Sequence, residues 1–183
     1  MTSRGGETFD IARAVSEIDE LLARPLPEAG PTAHEWLPFT QEWTLISGSG
    51  LLIAPLWESD SFTGLRGSEW DEASEAGENN LAALADALDA RWGPHRRAGM
   101  RVPIMRRNAN EPMPLLFRTL CDNDLLGDLV VWGPTGSPGW SAGAGPGAAG
   151  PRWVGVSVSQ CDGDAPMILT ATVTGQPLTE LQE

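Results

Sequence analysis

Hydrophobic residues near the N-terminus recur at the spacing of an α-helix. Between Phe9 and Ala23 the apolar positions fall three or four residues apart, and acidic residues lie between them. This period predicts an amphipathic helix with one face on a core. The residues of that face are Ile11, Val15, Ile18 and Leu22. Prolines directly after it predict the helix end and a connection that runs to Pro38.

Segments rich in β-branched and apolar residues predict strands along the rest of the chain. The first two flank the turn-forming residues 47–50, which favours a hairpin, with one bulged strand as the alternative. The last three follow one another without an intervening helix, so we expect them to pair antiparallel. The predicted strand segments are 44–46, 51–53, 101–106, 128–132, 153–160 and 167–174.

Two further helices are indicated by apolar spacing and by proline. Apolar residues from Asn80 to Trp92 recur at core spacing and predict a second helix, which the following Gly-Pro pair ends. Two closely spaced prolines suit the first turn of a short third helix that carries Phe117 and Leu120. The acidic segment 58–78 is interpreted as a polar connection.

These elements predict a single α+β domain over residues 1–183. We expect a mostly antiparallel sheet of about five strands, with two to three helices packed on one face. The stretch 134–151 is rich in glycine and proline and predicts a flexible loop between two strands. Residues 176–183 follow the last strand, and we expect them to form a loose tail.

The charge balance of the chain is strongly acidic. Its 183 residues include 25 acidic residues and 12 basic ones, all arginine, for a formal net charge of −13. An acidic surface repels nucleic acid and anionic membranes and attracts basic partners, so we expect neither nucleic acid nor a membrane as partner. Arginine without lysine, beside abundant alanine, glycine and proline, favours a bacterial source with a GC-rich genome.

The chain shows no targeting or disulfide pattern. Its first residues lack the apolar core of a secretory signal, and no apolar run reaches membrane-spanning length. Cys121 and Cys161 lie far apart in sequence and predict buried free thiols, with one disulfide as the alternative. We therefore expect a cytoplasmic protein.

Gly139–Gly143 matches the G-x-S-x-G nucleophile elbow of lipases and esterases. That elbow needs a strand before the serine and a helix after it. Ser141 is followed by glycines, alanines and a proline, which do not sustain a helix. The hydrolase order also needs a histidine after the serine, whereas His34 and His95 both precede it. Ser141 is therefore interpreted as a loop residue.

Gly145–Gly150 matches the glycine pattern of dinucleotide-binding proteins. That pattern works because a helix N-terminus follows it and offers free N–H groups to phosphate. Here Pro151 and a strand-like segment follow instead. We therefore expect no dinucleotide, and no other cofactor is indicated.

Two short acidic motifs have spacing that suits a hard cation. Asp162-Gly163-Asp164 lies between two predicted strands and favours a hairpin turn over a metal site. Asp122-Asn123-Asp124 falls where the third helix ends and is interpreted as a turn. Since the two histidines and two cysteines are scattered, we expect no metal and no catalytic set.

Half of the arginines lie between Arg91 and Arg107, an interval without an acidic residue. This segment carries a formal +6, and the remainder −19 of the total −13. The forked guanidinium group suits an anion site. The interpretation that we favour is internal neutralisation by the acidic segment 58–78. The candidate anion-binding residues are Arg96, Arg97, Arg101, Arg106 and Arg107.

The chain contains eight tryptophans. Those in apolar segments are expected in the core, namely Trp43, Trp57, Trp92, Trp132 and Trp153. Trp36, Trp70 and Trp140 lie in predicted connections, where an indole either anchors a partner or folds back over the core. The candidate partner-binding residues are Trp70 and Trp140, together with Glu69, Asp71 and Glu72.

The function that these features favour is non-enzymatic binding of a protein partner by an acidic surface. An immunity or inhibitor protein that covers a basic toxin or nuclease is one form of it. The alternative is a small ligand-binding or enzymatic domain with an arginine-lined anion site at Arg91–Arg107. The sequence leaves the partner and the oligomeric state open.

Overall fold

A computed structural model describes residues 6–38, 42–62, 67–135, 150–161 and 165–182. These ranges contain four helices and seven strands. The helices are α1 (Ile11–Ala23), α2 (Gly67–Trp92), α3 (Arg101–Asn108) and α4 (Leu115–Asp122). The strands are β1 (Ala33–Trp36), β2 (Trp43–Gly48), β3 (Leu51–Glu58), β4 (Arg96–Ala98), β5 (Leu129–Thr135), β6 (Arg152–Ser159) and β7 (Ile168–Thr174).

All described strands join one antiparallel sheet in the order β1-β2-β3-β7-β6-β5-β4. The N-terminal meander β1-β2-β3 meets the other strands where β3 pairs with β7, from Leu51↔Thr174 to Glu58↔Ile168. The predicted hairpin β2-β3 and the antiparallel pairing of β5, β6 and β7 are confirmed. The α+β class is also confirmed, but the sheet has seven strands instead of about five.

Successive residues along the strands point to opposite faces of the sheet and contribute to two cores, one on each face. In β3, Leu52 and Ala54 belong to the core beneath α1 and α2, whereas Leu51 and Ile53 belong to the core beneath α4. The expectation of helices on one face is therefore wrong, because α4 buries its apolar stripe on the opposite face. The first core includes Ile18, Leu22, Leu84, Leu88, Val156 and Leu169. The second core includes Met100, Phe117, Leu120, Val131 and Leu178.

Helix α1 forms as predicted. The Asp10 side chain caps its N-terminus by accepting a hydrogen bond from the Arg13 backbone N–H at 3.0 Å. The helix ends at Ala23, before the first proline, and buries Ile18 and Leu22. Ile11, which was predicted for the core face, is exposed.

Helix α2 begins 13 residues earlier than predicted, at Gly67 instead of Asn80. The segment 67–79 is therefore helix and not a polar connection. In the first half of α2, small residues face the sheet. A Cβ added to Gly77 would lie 3.0 Å from a Val158 methyl group. Small side chains allow close approach of helix to sheet but add little apolar signal to the sequence.

The segment 101–106 forms helix α3 instead of the predicted strand. Its β-branched residues suggested a strand, yet Pro103 fits a helix here because it occupies the first turn. Backbone N–H groups in that turn have no acceptor within the helix, so a missing donor costs nothing. Pro103 is also the buried residue of this helix.

Two edge strands were missed, β1 and β4. All four residues of β1 are exposed, and β4 has three residues with Arg96 and Arg97 exposed. An edge strand is held mainly by backbone pairing to one neighbour, so its side chains need not alternate between polar and apolar. Both therefore lacked the pattern that predicts a strand.

The tail after β7 packs at Leu178, which is 1% exposed. Its Cδ1 lies in the space above Gly155, where a Cβ would be 3.0 Å away. The described part of the tail is therefore held at this residue, where a loose segment was expected. Residues 136–149 of the predicted glycine loop, which hold Gly139–Gly143 and all of the second glycine motif except Gly150, and the Asp162–Asp164 turn lie outside the described residues.

Leu178→Ala tests the packing of the tail. We expect the free energy of unfolding to fall by about 2–4 kcal/mol, since a fully buried leucine leaves a cavity when truncated. Denaturant unfolding measures the change. Thr179→Ala, at the exposed next position, should stay within about 0.5 kcal/mol of the parent protein. Equal, small effects of both changes would contradict the packing of Leu178.

Candidate functional site

A cleft of about 460 Å³ opens between the N-terminal half of α2 and the segment after β3. Trp57 and Phe62 provide aromatic surface at the cleft, and Ala73 and Ala76 provide its helical side. The lining residues of α2 are spaced three or four apart, so they share one side of the helix. The lining residues of α2 are Glu69, Glu72, Ala73 and Ala76.

Carboxylates surround this cleft, and no arginine is among its described lining residues. Glu7 is neutralised by Arg13, with 2.7 Å between Oε2 and NH1, and this hydrogen bond raises the pKa of Arg13. Asp60, Glu69 and Glu72 make no ion pair with any residue that the structure describes. The carboxylates of the lining are Glu7, Glu58, Asp60, Glu69 and Glu72.

The predicted partner-binding residues of α2 do not share one surface. Trp70 is 44% exposed, and its Nε1 donates to Gln160 Oε1 at 2.8 Å. At about 100° per residue, Trp70 shares the side of α2 that Gly77 presents to β6, and it does not line the cleft. Glu69 and Glu72 line the cleft, whereas Asp71 is exposed and does not. Trp140 lies outside the described residues.

Other tryptophans are found mostly where the sequence predicts them. Trp57 and Trp132 are buried, at 5% and 2% exposure. Trp36 is 56% exposed on β1 and stacks on His34 with ring centroids 5.7 Å apart. It lines a second cleft, of about 440 Å³, between α1 and the β1–β2 edge. The partly buried tryptophans that pack against the two cores are Trp43, Trp92 and Trp153.

Internal pairing holds for two arginines of the basic segment, but with other partners than predicted. Arg91 NH2 lies 2.9 Å from Asp19 Oδ1, and Arg107 NH1 lies 3.2 Å from Asp124 Oδ1. The acidic segment 58–78 supplies neither partner. It ends in the first half of α2, and Glu72 is about 28 Å from Arg91 along the helix axis, at ~1.5 Å per residue.

The remaining candidate arginines lie on β4 and α3. The side chains of Arg96 and Arg97 are exposed on β4 and make no hydrogen bond or ion pair with the described residues. Arg101 begins α3, and Arg106 near its end donates to the Gln182 carbonyl at 3.0 Å. The set is therefore spread over an edge strand and both ends of a helix.

The Asp89 side chain connects α2 with the turn after it and with β5, and these contacts are called the Asp89 junction. Its Oδ1 accepts hydrogen bonds from Trp132 Nε1 at 2.8 Å and from the His95 backbone N–H at 3.0 Å. Both of its carboxylate oxygens lie 3.1 Å from His95 Nδ1. The His95 ring also meets the Trp132 ring edge-on, with centroids 5.8 Å apart. Asp89 thus fixes the chain directly before β4.

The pKa of Asp89 shows which effect dominates at this junction. Burial opposes ionisation of the carboxyl, but the hydrogen bonds from Trp132 and His95 outweigh it and hold the pKa below its ordinary value. Asp89 therefore remains a carboxylate at neutral pH and is positioned to hold structure together. Its side chain is used by three donors from two elements.

The acidic motif at the end of α4 forms a turn, as predicted. Asn123 Nδ2 donates to the Thr119 carbonyl at 2.7 Å, and Asp124 adopts a φ of 53°. Asn123 Oδ1 also lies 2.6 Å from His34 Nε2, which ties the turn to β1. In the described part of the chain, no three His, Cys, Asp or Glu residues are grouped as metal ligands.

The two cysteines are free thiols. Cys121 is buried, as predicted, and burial raises the pKa of its thiol. Cys161 is exposed, which corrects the expectation that both are buried. It lies two residues beyond the end of β6, outside the sheet.

Sequence reasoning missed the cleft itself. Glu69, Glu72, Ala73 and Ala76 have the spacing of residues on one side of a helix. This spacing predicts a shared surface only in a helix, and the sequence favours a polar connection over this segment. The contribution of Glu58 and Asp60 depends on where β3 ends beside α2, and the sequence does not show that packing.

Comparison with known proteins gives no relative for this chain: no protein-family model, curated protein or solved structure matches it. Among the described helices, none combines the length and the apolar character needed to cross a membrane.

Asp89→Asn tests the junction at the end of α2. We expect lower stability than the parent protein at neutral pH, since the amide keeps the shape but loses the charge that binds His95 and Trp132. A depressed folded-state pKa stabilises the fold above the unfolded value, near 4 for aspartate, and that stabilisation is lost as the pH falls through the folded value. The stability difference between parent and variant should therefore shrink in acid.

Urea unfolding at several pH values between about 2 and 7 measures this difference. Asp86→Asn is the matched control, because Asp86 is exposed on the same helix. A difference that stays constant across the pH range would show that the Asp89 charge does not contribute.

Trp70→Ala tests whether the exposed indole serves the isolated fold. We expect a loss well below the roughly 3–5 kcal/mol that follows truncation of a core aromatic. Trp57→Ala is the control, because that indole is buried and donates to the Glu7 carbonyl at 2.9 Å. Chemical unfolding of both variants measures the losses, and similar values would place Trp70 among the residues that hold the fold.

Proposed function

We propose that this chain is a non-enzymatic binding protein whose acidic cleft receives a basic side chain of a protein partner. The observation that carries the proposal is the pairing of apolar cleft surface with carboxylates at its rim. Trp57, Phe62 and the alanines of α2 offer apolar surface, and Asp60, Glu69 and Glu72 lack an ion-pair partner in the described structure. Lysine and arginine carry an apolar stem and a charged head, which match these two parts.

The long-range field supports the same kind of partner. A net charge of −13 attracts basic surfaces and speeds encounter with them. Rim carboxylates remain partly hydrated in the free state, so each contact contributes modest affinity and the proposal needs several of them. Trp70, exposed near the start of α2, adds an aromatic contact for a partner that covers this end of the helix.

The partner class follows from this chemistry. A cytoplasmic immunity or inhibitor protein that covers a basic toxin or nuclease would present such a surface. An arginine-lined anion site is a weaker proposal for the main function, because the structure spreads those arginines over separate elements.

A charge-matched pair of double variants tests the cleft. Glu69→Gln with Glu72→Gln removes two rim charges. Glu75→Gln with Glu78→Gln removes two charges from exposed positions of the same helix that do not line the cleft. The probe is a fluorescein-labelled hexapeptide with three arginines, measured by anisotropy at low ionic strength. We expect the cleft pair to weaken binding about fivefold and the control pair less than twofold.

The outcome that contradicts the proposal is an equal loss from both double variants. It would mean that the peptide senses the net charge of the protein and not the cleft. Amide chemical shifts on titration give a second readout, and they should change at Ser61, Ala73 and Ala76 if the peptide enters the cleft.

A further inference from the structure

Strand β4 forms one edge of the sheet and leaves its outer side open in the described structure. It pairs with β5 alone, through Arg96↔Val131, Arg97↔Val130 and Ala98↔Leu129. In an antiparallel ladder, alternate residues turn their backbone N–H and C=O away from the neighbouring strand. The free edge of β4 therefore presents hydrogen-bonding groups that an extended segment can use.

The two arginines of β4 lie on opposite faces of this edge. Directly paired residues share a face, and Val131 belongs to the second core whereas Val130 belongs to the first. Arg96 is therefore on the α4 face and Arg97 on the α2 face. His95 agrees with this assignment, because two residues before Arg97 its ring contacts Trp132, a residue of the first core.

These guanidinium groups are the basic groups of the edge that lack an acidic partner in the described structure. Arg91 and Arg107, in contrast, are held by Asp19 and Asp124. Charged residues on edge strands also deter pairing between identical chains. The two arginines repel the same edge of a second chain and attract an acidic segment. The same pair can therefore prevent self-association and bind an acidic partner.

We propose that the free edge of β4 binds an extended acidic segment of a partner protein as an added strand. Consecutive residues of a strand face opposite sides, so two adjacent acidic residues meet Arg96 on one face and Arg97 on the other. Arginine binds carboxylates through forked hydrogen bonds, which gives each contact a defined geometry. The partner motif is therefore a pair of neighbouring acidic residues within an extended segment.

This surface is separate from the acidic cleft. The cleft lies at the N-terminal half of α2, and β4 follows the C-terminal end of that helix. The Glu69→Gln, Glu72→Gln variant should therefore bind an acidic segment as well as, or better than, the parent. Failure of one proposal leaves the other standing.

Two peptides of the same composition test the arrangement. In Thr-Val-Glu-Glu-Val-Thr the acidic residues are adjacent and face opposite sides of a strand. In Thr-Glu-Val-Glu-Val-Thr they alternate and face the same side. With capped ends, a fluorescein label and anisotropy as the readout, we expect the first peptide to bind at least about fivefold more tightly, the size of one lost charge contact.

Variants identify the protein groups that bind. Arg96→Gln and Arg97→Gln should each weaken the adjacent-acid peptide about fivefold and abolish its advantage over the alternating peptide. Arg118→Gln removes the same charge from an exposed position on α4 and should change binding less than twofold. N-methylation of every second peptide amide should abolish binding in one phase of the alternation and be tolerated in the other, because an added strand uses alternate amides.

Several results would overturn the proposal. Equal binding of the two peptides, or an equal loss of binding in the Arg118 variant, would show that the peptide is bound by non-specific electrostatic attraction. Tighter binding of a single-stranded oligonucleotide with the same dependence on Arg96 and Arg97 would assign the edge to phosphate. Sedimentation that shows a dimer broken by Arg96→Gln without peptide would assign the edge to a second copy of the chain.

Discussion

Pairing between β3 and β7 joins the early and late parts of the chain into one sheet, and the rest of the structure depends on it. The partners are distant in sequence, as in Ile53↔Thr172 and Ala54↔Ala171, and their side chains are buried on both faces. A backbone ladder shielded from water on both sides leaves no alternative partner for its N–H and C=O groups. Without this pairing the β1-β2-β3 meander would be separated from the core that α1 and α2 cover.

That pairing also requires a connection across the sheet, which α2 supplies. Since β7 lies beside β3, the chain must travel from the middle of the sheet to its far edge before β4 can form. The 26 residues of α2 cover about 39 Å at ~1.5 Å per residue, and the helix contacts β7, β6 and β5 on the way. The junction at Asp89 then fixes the turn that leads into β4.

The elements that could be predicted are those with apolar faces in a core. Helix α1, helix α4 and the strands β2, β3, β5, β6 and β7 all show their period or their β-branched residues in the sequence. The edge strands β1 and β4 could not be predicted, because backbone pairing holds them and their side chains face water. The first half of α2 was missed since Gly77 and the alanines near it provide contact with the sheet without an apolar stripe.

The candidate site shows a different limit of sequence reasoning. Adjacency in sequence joined Trp70 to Glu69 and Glu72, but the indole bonds to Gln160 beyond β6, whereas the two carboxylates line the cleft. For the arginines, the sequence showed the surplus charge, and only the fold shows which of them lack a partner in the described structure.

A long crossover helix keeps the acidic cleft and the arginines of β4 too far apart to neutralise each other. From Glu72 to the end of α2 at Trp92 is about 30 Å at ~1.5 Å per residue, more than three Debye lengths at physiological salt, so the two charge sets interact weakly. Arg91 lies between them but is already paired with Asp19. Because the same helix sets both positions, the chain maintains two surfaces of opposite sign on one rigid fold. The two partners proposed above would therefore not compete for the same groups.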